Sequence, residues 1–212
     1  AGAGKTTMLR AAFTALTTQR RRLLVVAPTR KAASVASREV GAAASSLHAL
    51  LADHGYRWGC DEAGAMVWTR LGAGDVDPAT GAVYAGPSRY VLAHGDRIVV
   101  DEAGMVDLQT ANVLAELAIE QGVGVAFVGD THQATPVGHA GAMGSAIRHA
   151  NAAVELDTVH RFRDRDYAAL TLRLRDAGDG DRAMAVAGEL VDRGHVDRVD
   201  HLDAARERMI EA

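Results

Sequence analysis

Hydrophobic residues along the chain form short aliphatic runs that alternate with longer amphipathic stretches. Residues 23–27, 97–102 and 123–128 contain such runs, each followed by a turn-forming or acidic residue, as is typical of buried parallel strands. The predicted helices cover residues 8–19, 31–40 and 105–121, and a further helix starts within 45–51 behind a serine cap. This alternation predicts an α/β fold with a doubly wound, mostly parallel sheet flanked by helices.

The segment of residues 55–90 interrupts this alternation. It holds both tryptophans, three of the four tyrosines, and turn signals at Asp77-Pro78 and Gly86-Pro87. Residues 66–68 and 82–84 have the composition of short strands, which predicts that they pair as a small β-hairpin. We interpret the segment as an insertion into the α/β domain.

The composition changes near residue 176, where glycine, aspartate and arginine become frequent. Two stretches with a helical pattern follow. We therefore predict an α/β domain over residues 1–175 and a helical connector over residues 176–212. A chain of 212 residues with 48% hydrophobic content is long and apolar enough for one such domain and a short appendage.

The charge and the cysteine count narrow the classes of function. The formal net charge of −4 argues against binding of nucleic acid by bulk charge, so any such binding needs a local basic stripe. The single cysteine, Cys60, excludes an internal disulfide and a thiolate zinc cluster, so a bound metal would be held by oxygen ligands. No apolar run approaches the roughly 20 residues that cross a bilayer, and no signal-peptide pattern is present. We expect a cytoplasmic protein without a membrane span.

The first seven residues, AGAGKTT, have the pattern of the second half of a phosphate-binding P-loop. The opening glycine and the preceding strand would lie upstream, so we expect the chain to be a fragment. The glycines let successive amide N–H groups point at a β-phosphate, while Lys5 reaches the β- and γ-oxygens and the Thr6 hydroxyl binds Mg²⁺. The predicted nucleotide-binding residues are Gly2, Ala3, Gly4, Lys5, Thr6, Thr7 and Asp101. By itself, an ordinary glycine turn into a helix also explains the motif.

Two carboxylates follow the predicted strand of residues 97–102. Asp101 would hold Mg²⁺, usually through water, because magnesium takes few protein carboxylates. Glu102 would orient or deprotonate the attacking water. A solvated acidic strand end is the alternative for either residue alone. The occurrence of both motifs predicts hydrolysis of ATP with Mg²⁺.

Three further motifs follow the P-loop in order: residues 27–33 (APTRKAA), 101–105 (DEAGM) and 129–138 (GDTHQATPVG). They resemble motifs Ia, II and III of superfamily-one DNA helicases of the RecD-like branch. The stretch from Trp58 to Arg97 is similar to the helicase part of actinobacterial conjugative relaxase/helicase proteins of the MobF type. The resemblance covers about residues 1–175.

The resemblance implies a RecA-like P-loop ATPase fold and ATP-driven translocation on single-stranded DNA. It also implies a C-terminal second motor domain outside this chain, toward which the connector would lead, and leaves open whether a relaxase domain precedes the segment. Because half of the usual cleft would be missing, we expect the chain alone to bind nucleotide weakly and to hydrolyse it slowly, if at all.

Further site residues come from the same resemblance. Gln133 would contact the γ-phosphate or the attacking water and report hydrolysis to the DNA groove, a role that suits an amide. Residues 156–162 (LDTVHRF) look like motif IV, and Arg161 would neutralise charge that develops in phosphoryl transfer, although Arg163 and Arg165 leave that assignment open. The predicted catalytic residues are Lys5, Glu102, Gln133 and Arg161. Ala134 and Thr135 depart from the leucine and proline common in the family, which puts the local DNA contact in question.

The predicted DNA contacts are Thr29, Arg30, Lys31, Ser46, His48 and Pro136. The first three would lie at a strand-to-helix turn, where a hydroxyl, two charges and helix amides can meet phosphates. A solvated basic pair and a structural histidine are the alternatives. Two other functions compete with the helicase: a P-loop kinase or switch ATPase, and a non-catalytic module that binds DNA or a partner. The Gln133 segment argues against the kinase, and the intact Lys5, Thr6, Asp101 and Glu102 argue against a degenerate site.

Overall fold

The computed structural model describes residues 4–60, 63–130, 141–156 and 164–196, together with residues 199, 201–203, 206 and 209. The chain divides into two compact units. Gly4–Glu155 forms one, and the described residues from Leu156 onward belong to the other. The predicted end of the ATPase domain near residue 175 does not coincide with this division, and the functional domain boundary stays a prediction.

Four parallel strands form the central sheet. The six strands of the described residues are β1 Leu23–Ala27, β2 Ala43–Ser46, β3 Tyr56–Cys60, β4 Met66–Arg70, β5 Arg97–Val100 and β6 Gly124–Phe127. The order in the sheet is β2-β1-β5-β6, and its register sets Leu24 beside Ala43 on one side and beside Ile98 on the other. Because all four strands run the same way, their carboxyl ends lie at one edge of the sheet. The predicted α/β fold is confirmed.

Helices cover both faces of this sheet. Those of the first unit are α1 Lys5–Thr18, α2 Arg30–Val40, α3 Leu47–Asp53, α4 Leu108–Gln121 and α5 Ala142–His149. One buried cluster contains Leu24, Val26 and Ile98 with residues of α3 and α4, and the other contains Leu23, Val25 and residues of α1 and α2. Alternate residues of β1 therefore point to opposite layers, and each large aliphatic side chain buried there contributes about 1.5–3 kcal/mol.

One predicted helix starts later than expected, and one strand was not predicted. The helix predicted over residues 105–121 begins at Leu108, because the Asp107 carboxylate accepts the Thr110 N–H at 2.9 Å and caps it, while Ala103–Met105 forms a separate 3₁₀ turn. The serine cap is Ser46, whose hydroxyl accepts the Ala49 N–H. Strand β2, just before it, was not predicted, since its sequence AASS lacks large apolar residues.

The inserted segment contains a hairpin, but its strands differ from the predicted pair. Strand β4 pairs antiparallel with β3, in a register that sets Trp58 opposite Trp68. The prediction that residues 66–68 pair with residues 82–84 is wrong. The Asp77-Pro78 turn folds residues 82–84 back onto residues 75–77, where the Tyr84 N–H donates to the Asp75 carbonyl at 2.8 Å. The turn signal was read correctly, but it closes a local turn rather than the hairpin.

Two helices of the second unit lie within the described residues 164–196, α6 Arg165–Arg175 and α7 Gly180–Asp192. They pack through a small apolar cluster of Leu170, Val186 and Leu190. An ion pair of 2.7 Å between Arg173 and Glu189 also joins them. Helix α7 corresponds to one of the two helical stretches predicted after residue 176. In the part of the chain that is described, no helix is long and apolar enough to cross a membrane.

Candidate nucleotide site and nucleic-acid groove

The amino end of helix α1 is built to receive an anion. Gly4 precedes the helix with φ of +84° and ψ of 12°, a left-handed conformation that favours glycine. Among the described residues, no side chain caps this helix, whereas Thr29, Ser46 and Asp107 cap α2, α3 and α4. The first-turn N–H groups of this 14-residue helix have the positive end of the helix dipole behind them and can bind an anion.

Lys5 brings this helix end to the acidic end of β5. Its Nζ atom lies 3.7 Å from Oδ1 of Asp101, and the two side chains are 29% and 21% exposed. The backbone holds the aspartate in place, since the Asp101 N–H donates to the Val26 carbonyl at 2.8 Å. The Asp101 carboxylate also accepts the Glu102 N–H at 2.9 Å. The structure thus brings together the cation and the first carboxylate of the predicted site.

Glu102 has a strained backbone. Its φ of 55° and ψ of 36° are left-handed, and among the described residues only Arg20 shares a positive φ without being glycine. Such a conformation costs a residue with a Cβ atom about 1–2 kcal/mol. The next peptide is fixed, because the Ala103 N–H donates to the Val128 carbonyl at 3.0 Å. Strain of this kind is often retained where the side chain has a task at an active site.

The loop after β5 packs backbone to backbone against the end of β6. A Cβ atom on Gly104 would lie 2.9 Å from the carbonyl oxygen of Asp130, and one on Gly129 would lie 3.1 Å from the nitrogen of Ala103. Only glycine fits at these two positions. Sequence reasoning did not assign them this role, although a glycine in each motif was the available signal. The contact places the start of the GDTHQ motif beside the Asp101 loop.

The Thr6 hydroxyl has a partner that sequence reasoning missed. It donates to Oε2 of Glu39, on helix α2, at 3.0 Å. The predicted magnesium ligands are nevertheless chemically suitable, because Mg²⁺ binds few protein oxygens and keeps several waters, through which Asp101 would hold it. The bond to Glu39 uses the proton of the Thr6 hydroxyl, so lone pairs of its oxygen would remain for the metal.

Several predicted site residues lie outside the described residues. They are Gly2, Ala3, Gln133, Pro136 and Arg161. Their roles stay predictions. Thr7 is described and lies exposed in the first turn of α1.

A second feature is an open groove at the carboxyl ends of β1 and β2. Its volume is about 680 Å³. It is lined by Pro28, Arg30, Ser46, His48, Ala49, Ala52, Asp53, Arg89 and Tyr90. Three of the predicted DNA contacts, Arg30, Ser46 and His48, therefore share one surface. Lys31 is exposed but is not among the lining residues.

Two of the predicted DNA contacts also have structural roles. The Thr29 hydroxyl accepts the Ala32 N–H at 3.2 Å, and the Ser46 hydroxyl accepts the Ala49 N–H at 3.2 Å. Both residues are N-caps, so their presence is explained without a ligand. Arg30 and His48 are exposed and have no comparable role in the helices that they begin.

Aromatic rings continue from the groove onto the hairpin. The His48 ring lies 5.4 Å from that of Trp68, which in turn lies 5.2 Å from that of Trp58. Trp58 is 40% exposed. The two tryptophans therefore pack on each other across the hairpin, which gives both a structural role.

Six lining residues of the groove were not predicted as DNA contacts, and three of them have polar side chains: Asp53, Arg89 and Tyr90. Arg89 follows the turn at Gly86-Pro87 in the inserted segment and is exposed. Its only sequence signal was an arginine beside a tyrosine, which is too common to single out.

Lys5 lies at the uncapped start of α1 and faces the Asp101 carboxylate at the carboxyl end of a parallel strand. This arrangement is that of a P-loop NTPase fold. The profile of the family described as AAA domain matches residues 1–201. The chain therefore belongs to the AAA domain family. A comparison with curated protein sequences gave no match.

Among solved structures, the chain is similar to Bacteroides Pif1 bound to ssDNA, with a TM-score of 0.52 and 18% identity, over 96% of this chain and 46% of that chain. It is also similar to Bacteroides sp Pif1 in complex with ADP-AlF4, with a TM-score of 0.52 and 18% identity, over 99% of this chain and 50% of that chain. At this identity the likeness concerns the fold. The chain spans about half the length of these structures.

Proposed function

We propose that this chain is the ATP-hydrolysing motor domain of a DNA helicase, which couples hydrolysis to movement along single-stranded DNA. The observation that carries the proposal is the position of Lys5, 3.7 Å from Asp101, at the same sheet edge as the groove that Arg30 and His48 line. A nucleotide site and a basic groove at one edge of a rigid sheet suit a protein in which each ligand affects binding of the other.

The residues of the nucleotide site have separate tasks in this proposal. The Lys5 ammonium and the N–H groups of α1 bind phosphate oxygens, and Asp101 accepts hydrogen bonds from the metal's waters. Bound Mg²⁺ neutralises charge on the transferring phosphoryl group. Glu102 orients the attacking water and takes its proton. Gln133 and Arg161 keep the roles that the helicase resemblance implies.

For the groove we propose single-stranded DNA as the ligand. Arg30 supplies positive charge for a phosphate, and the exposed His48, near the start of α3, lines the same groove. The fold that the chain shares with Pif1, which was crystallised bound to ssDNA, supports this choice. The net charge of −4 means that DNA binding needs local positive charge, and the arginines that line the groove supply it.

Two further parts of the proposal concern the rest of the parent protein. We propose that a second motor domain completes the nucleotide cleft, because the chain matches about half of each Pif1 structure. We propose a conjugative relaxase/helicase as the parent protein from the resemblance of residues 58–97 alone.

Translocation is the activity to test. The full-length protein is mixed with a single strand that carries a terminal biotin bound to streptavidin, and release of streptavidin is followed with and without ATP. ATP-dependent release that is lost in Glu102→Gln is the result we expect. A protein that hydrolyses ATP but releases no streptavidin from either end of the strand is a kinase or a switch ATPase rather than a motor.

A further inference from the structure

We propose that Arg89 binds a phosphate of single-stranded DNA in the groove that Arg30 also lines, and that Asp53 positions it. This inference rests on the proposed function. It assigns a role to the end of the inserted segment, which lines the groove together with the strand-to-helix turn after β1.

Arg89 has the properties of a phosphate ligand. It is exposed, and among the described residues its guanidinium pairs with no carboxylate, as is also true of Arg30. Other exposed arginines of the same unit, such as Arg38, also have no ion pair among the described residues, but they do not line the groove. An arginine left without an anion in a groove favours binding of an anionic ligand, and its planar fork suits phosphate.

The ring beneath Arg89 limits its movement. The guanidinium carbon lies 5.2 Å from the centre of the Tyr90 ring, within the range of a cation–π contact. Tyr90 is half-buried and packs against the main core cluster. Arg89 therefore rests on a fixed surface, so that less side-chain entropy is lost when it binds a phosphate.

Asp53 fixes the backbone that carries these residues. Its carboxylate accepts the N–H groups of Ser88 at 3.3 Å, Arg89 at 3.0 Å and Tyr90 at 2.7 Å. The ring of His54 forms one more contact, with Nε2 at 3.0 Å from the Tyr90 carbonyl oxygen. Asp53 ends helix α3, which begins one residue before His48, so a single short helix holds both His48 and the Arg89 turn.

The direction in which DNA affinity changes when the Asp53 carboxylate is removed distinguishes a positioning role from a purely electrostatic one. Asp53 lines a groove that is proposed to hold phosphates, so its negative charge opposes DNA binding when only charge is considered. Removal of the carboxylate should then strengthen binding. If Asp53 instead holds the Arg89 turn, its removal weakens binding, because three backbone N–H groups lose their acceptor and Arg89 is no longer fixed.

The experiment measures binding of a fluorescein-labelled oligo-dT by the full-length protein at several salt concentrations. We expect Arg89→Ala to weaken binding on the order of tenfold at low salt and to reduce the slope of log K against log salt by about 0.7. Arg89→Lys keeps the charge and should retain most of the affinity. Arg38→Ala is the matched control, since this exposed arginine lies at the far end of α2 and does not line the groove.

Asp53 is tested by a double-mutant cycle. We expect Asp53→Ala and Asp53→Asn each to weaken binding, and Asp53→Ala to have little further effect once Arg89 is alanine. Wild-type affinity and salt slope in Arg89→Ala, with weaker binding in Arg30→Ala, would overturn this inference and leave the proposed function standing. If the wild-type protein binds no oligo-dT, both fail. Stronger binding by both Asp53 variants would overturn the positioning role.

Discussion

The ammonium nitrogen of Lys5 lies 3.7 Å from Oδ1 of Asp101, although the two residues belong to different motifs and are almost a hundred positions apart. The distance exists because α1 begins, and β5 ends, at the same edge of a parallel sheet. It joins the group that we propose to bind phosphate to the group that we propose to hold Mg²⁺. Most of the predictions below follow from what surrounds this pair.

Lys5→Ala should weaken binding of a fluorescent ATP analogue with Mg²⁺ at least on the order of tenfold, because a charge-assisted contact to phosphate is lost. Fluorescence anisotropy of the full-length protein measures this. Arg21→Ala removes a charge of the same sign beyond the opposite end of helix α1 and should leave the affinity within about twofold. Equal losses in the two variants would mean that Lys5 acts only through the overall charge.

Glu102→Gly should stabilise the fold while it abolishes hydrolysis. The left-handed backbone costs glutamate about 1–2 kcal/mol, whereas the greater freedom of glycine in the unfolded chain takes back about 0.4–1 kcal/mol. We expect the free energy of unfolding to rise by about 0.5–1 kcal/mol, as measured by urea titration.

Arg20→Gly is the control for this prediction. Arg20 has a φ of 57° just beyond α1, so the same relief of strain should occur without loss of hydrolysis. A lower stability of Glu102→Gly than of the wild type would show that the Glu102 side chain stabilises the folded state and that the strain has been overestimated.

The hydrogen bond between Thr6 and Glu39 predicts unequal effects for its two partners. Thr6→Ala should raise the Mg²⁺ concentration needed for half-maximal ATP hydrolysis roughly tenfold, because a ligand is lost. Glu39→Ala leaves the hydroxyl oxygen in place and should leave that concentration nearly unchanged. Thr14→Ala, on the same helix, removes a hydroxyl that only bonds the Arg10 carbonyl. If Thr6→Ala and Thr14→Ala have the same Mg²⁺ dependence, Thr6 is not a metal ligand.

Asp96 should make the stability of the fold depend on pH. It is 5% exposed. Burial raises the pKa of its carboxyl, but hydrogen bonds from the backbone N–H groups of Arg22 and Ala93 and from the Arg22 side chain outweigh burial, so the pKa lies below its ordinary value. A pKa that is lower in the folded state stabilises the protein above the unfolded pKa of about 3.9, and this contribution is lost as pH falls through the folded pKa.

Asp96→Asn should therefore flatten the curve of unfolding free energy against pH in the acid range below about pH 4. Asp96→Ala should cost about 2 kcal/mol or more at neutral pH, because two backbone N–H groups lose their acceptor. Asp166→Asn is the control, since its side chain is 83% exposed and its ion pair is long, 3.9 Å. An acid transition that is the same in Asp96→Asn as in the wild type would contradict the account.

Local sequence was sufficient for part of the fold. Strands β1 and β5 were predictable because consecutive aliphatic residues can be buried on both faces in the interior of a parallel sheet. Strand β6 was predictable from a similar aliphatic run, although it lies at the end of the strand order and its residues are only partly buried or exposed. Strand β2 has the sequence AASS and is held by its neighbour rather than by its own side chains. The partner of β4 was missed because β3 mixes arginine, tryptophan and glycine, and pairing is decided by the packing of Trp58 on Trp68.

For the site, too, local sequence was sufficient for some residues and not for others. Lys5, Asp101 and Glu102 were predicted because phosphate and metal chemistry requires these residue types at short, fixed spacings. The Thr6 bond to Glu39 spans 33 positions and the Asp53 bonds to the Arg89 turn span up to 37 positions, so no local pattern reports them. Contacts of this kind depend on how helices pack, which only the folded chain defines.

The measurement that tests the central claim most directly is steady-state ATP hydrolysis by the full-length protein, with and without single-stranded DNA. We expect DNA to stimulate hydrolysis, and we expect Glu102→Gln to remove the stimulated rate by a factor of about 100 or more. Glu116→Gln, an exposed glutamate of α4, should behave as the wild type. Hydrolysis at the same rate with and without DNA would contradict the account and indicate a kinase or switch ATPase, and no hydrolysis at all would indicate a binding module.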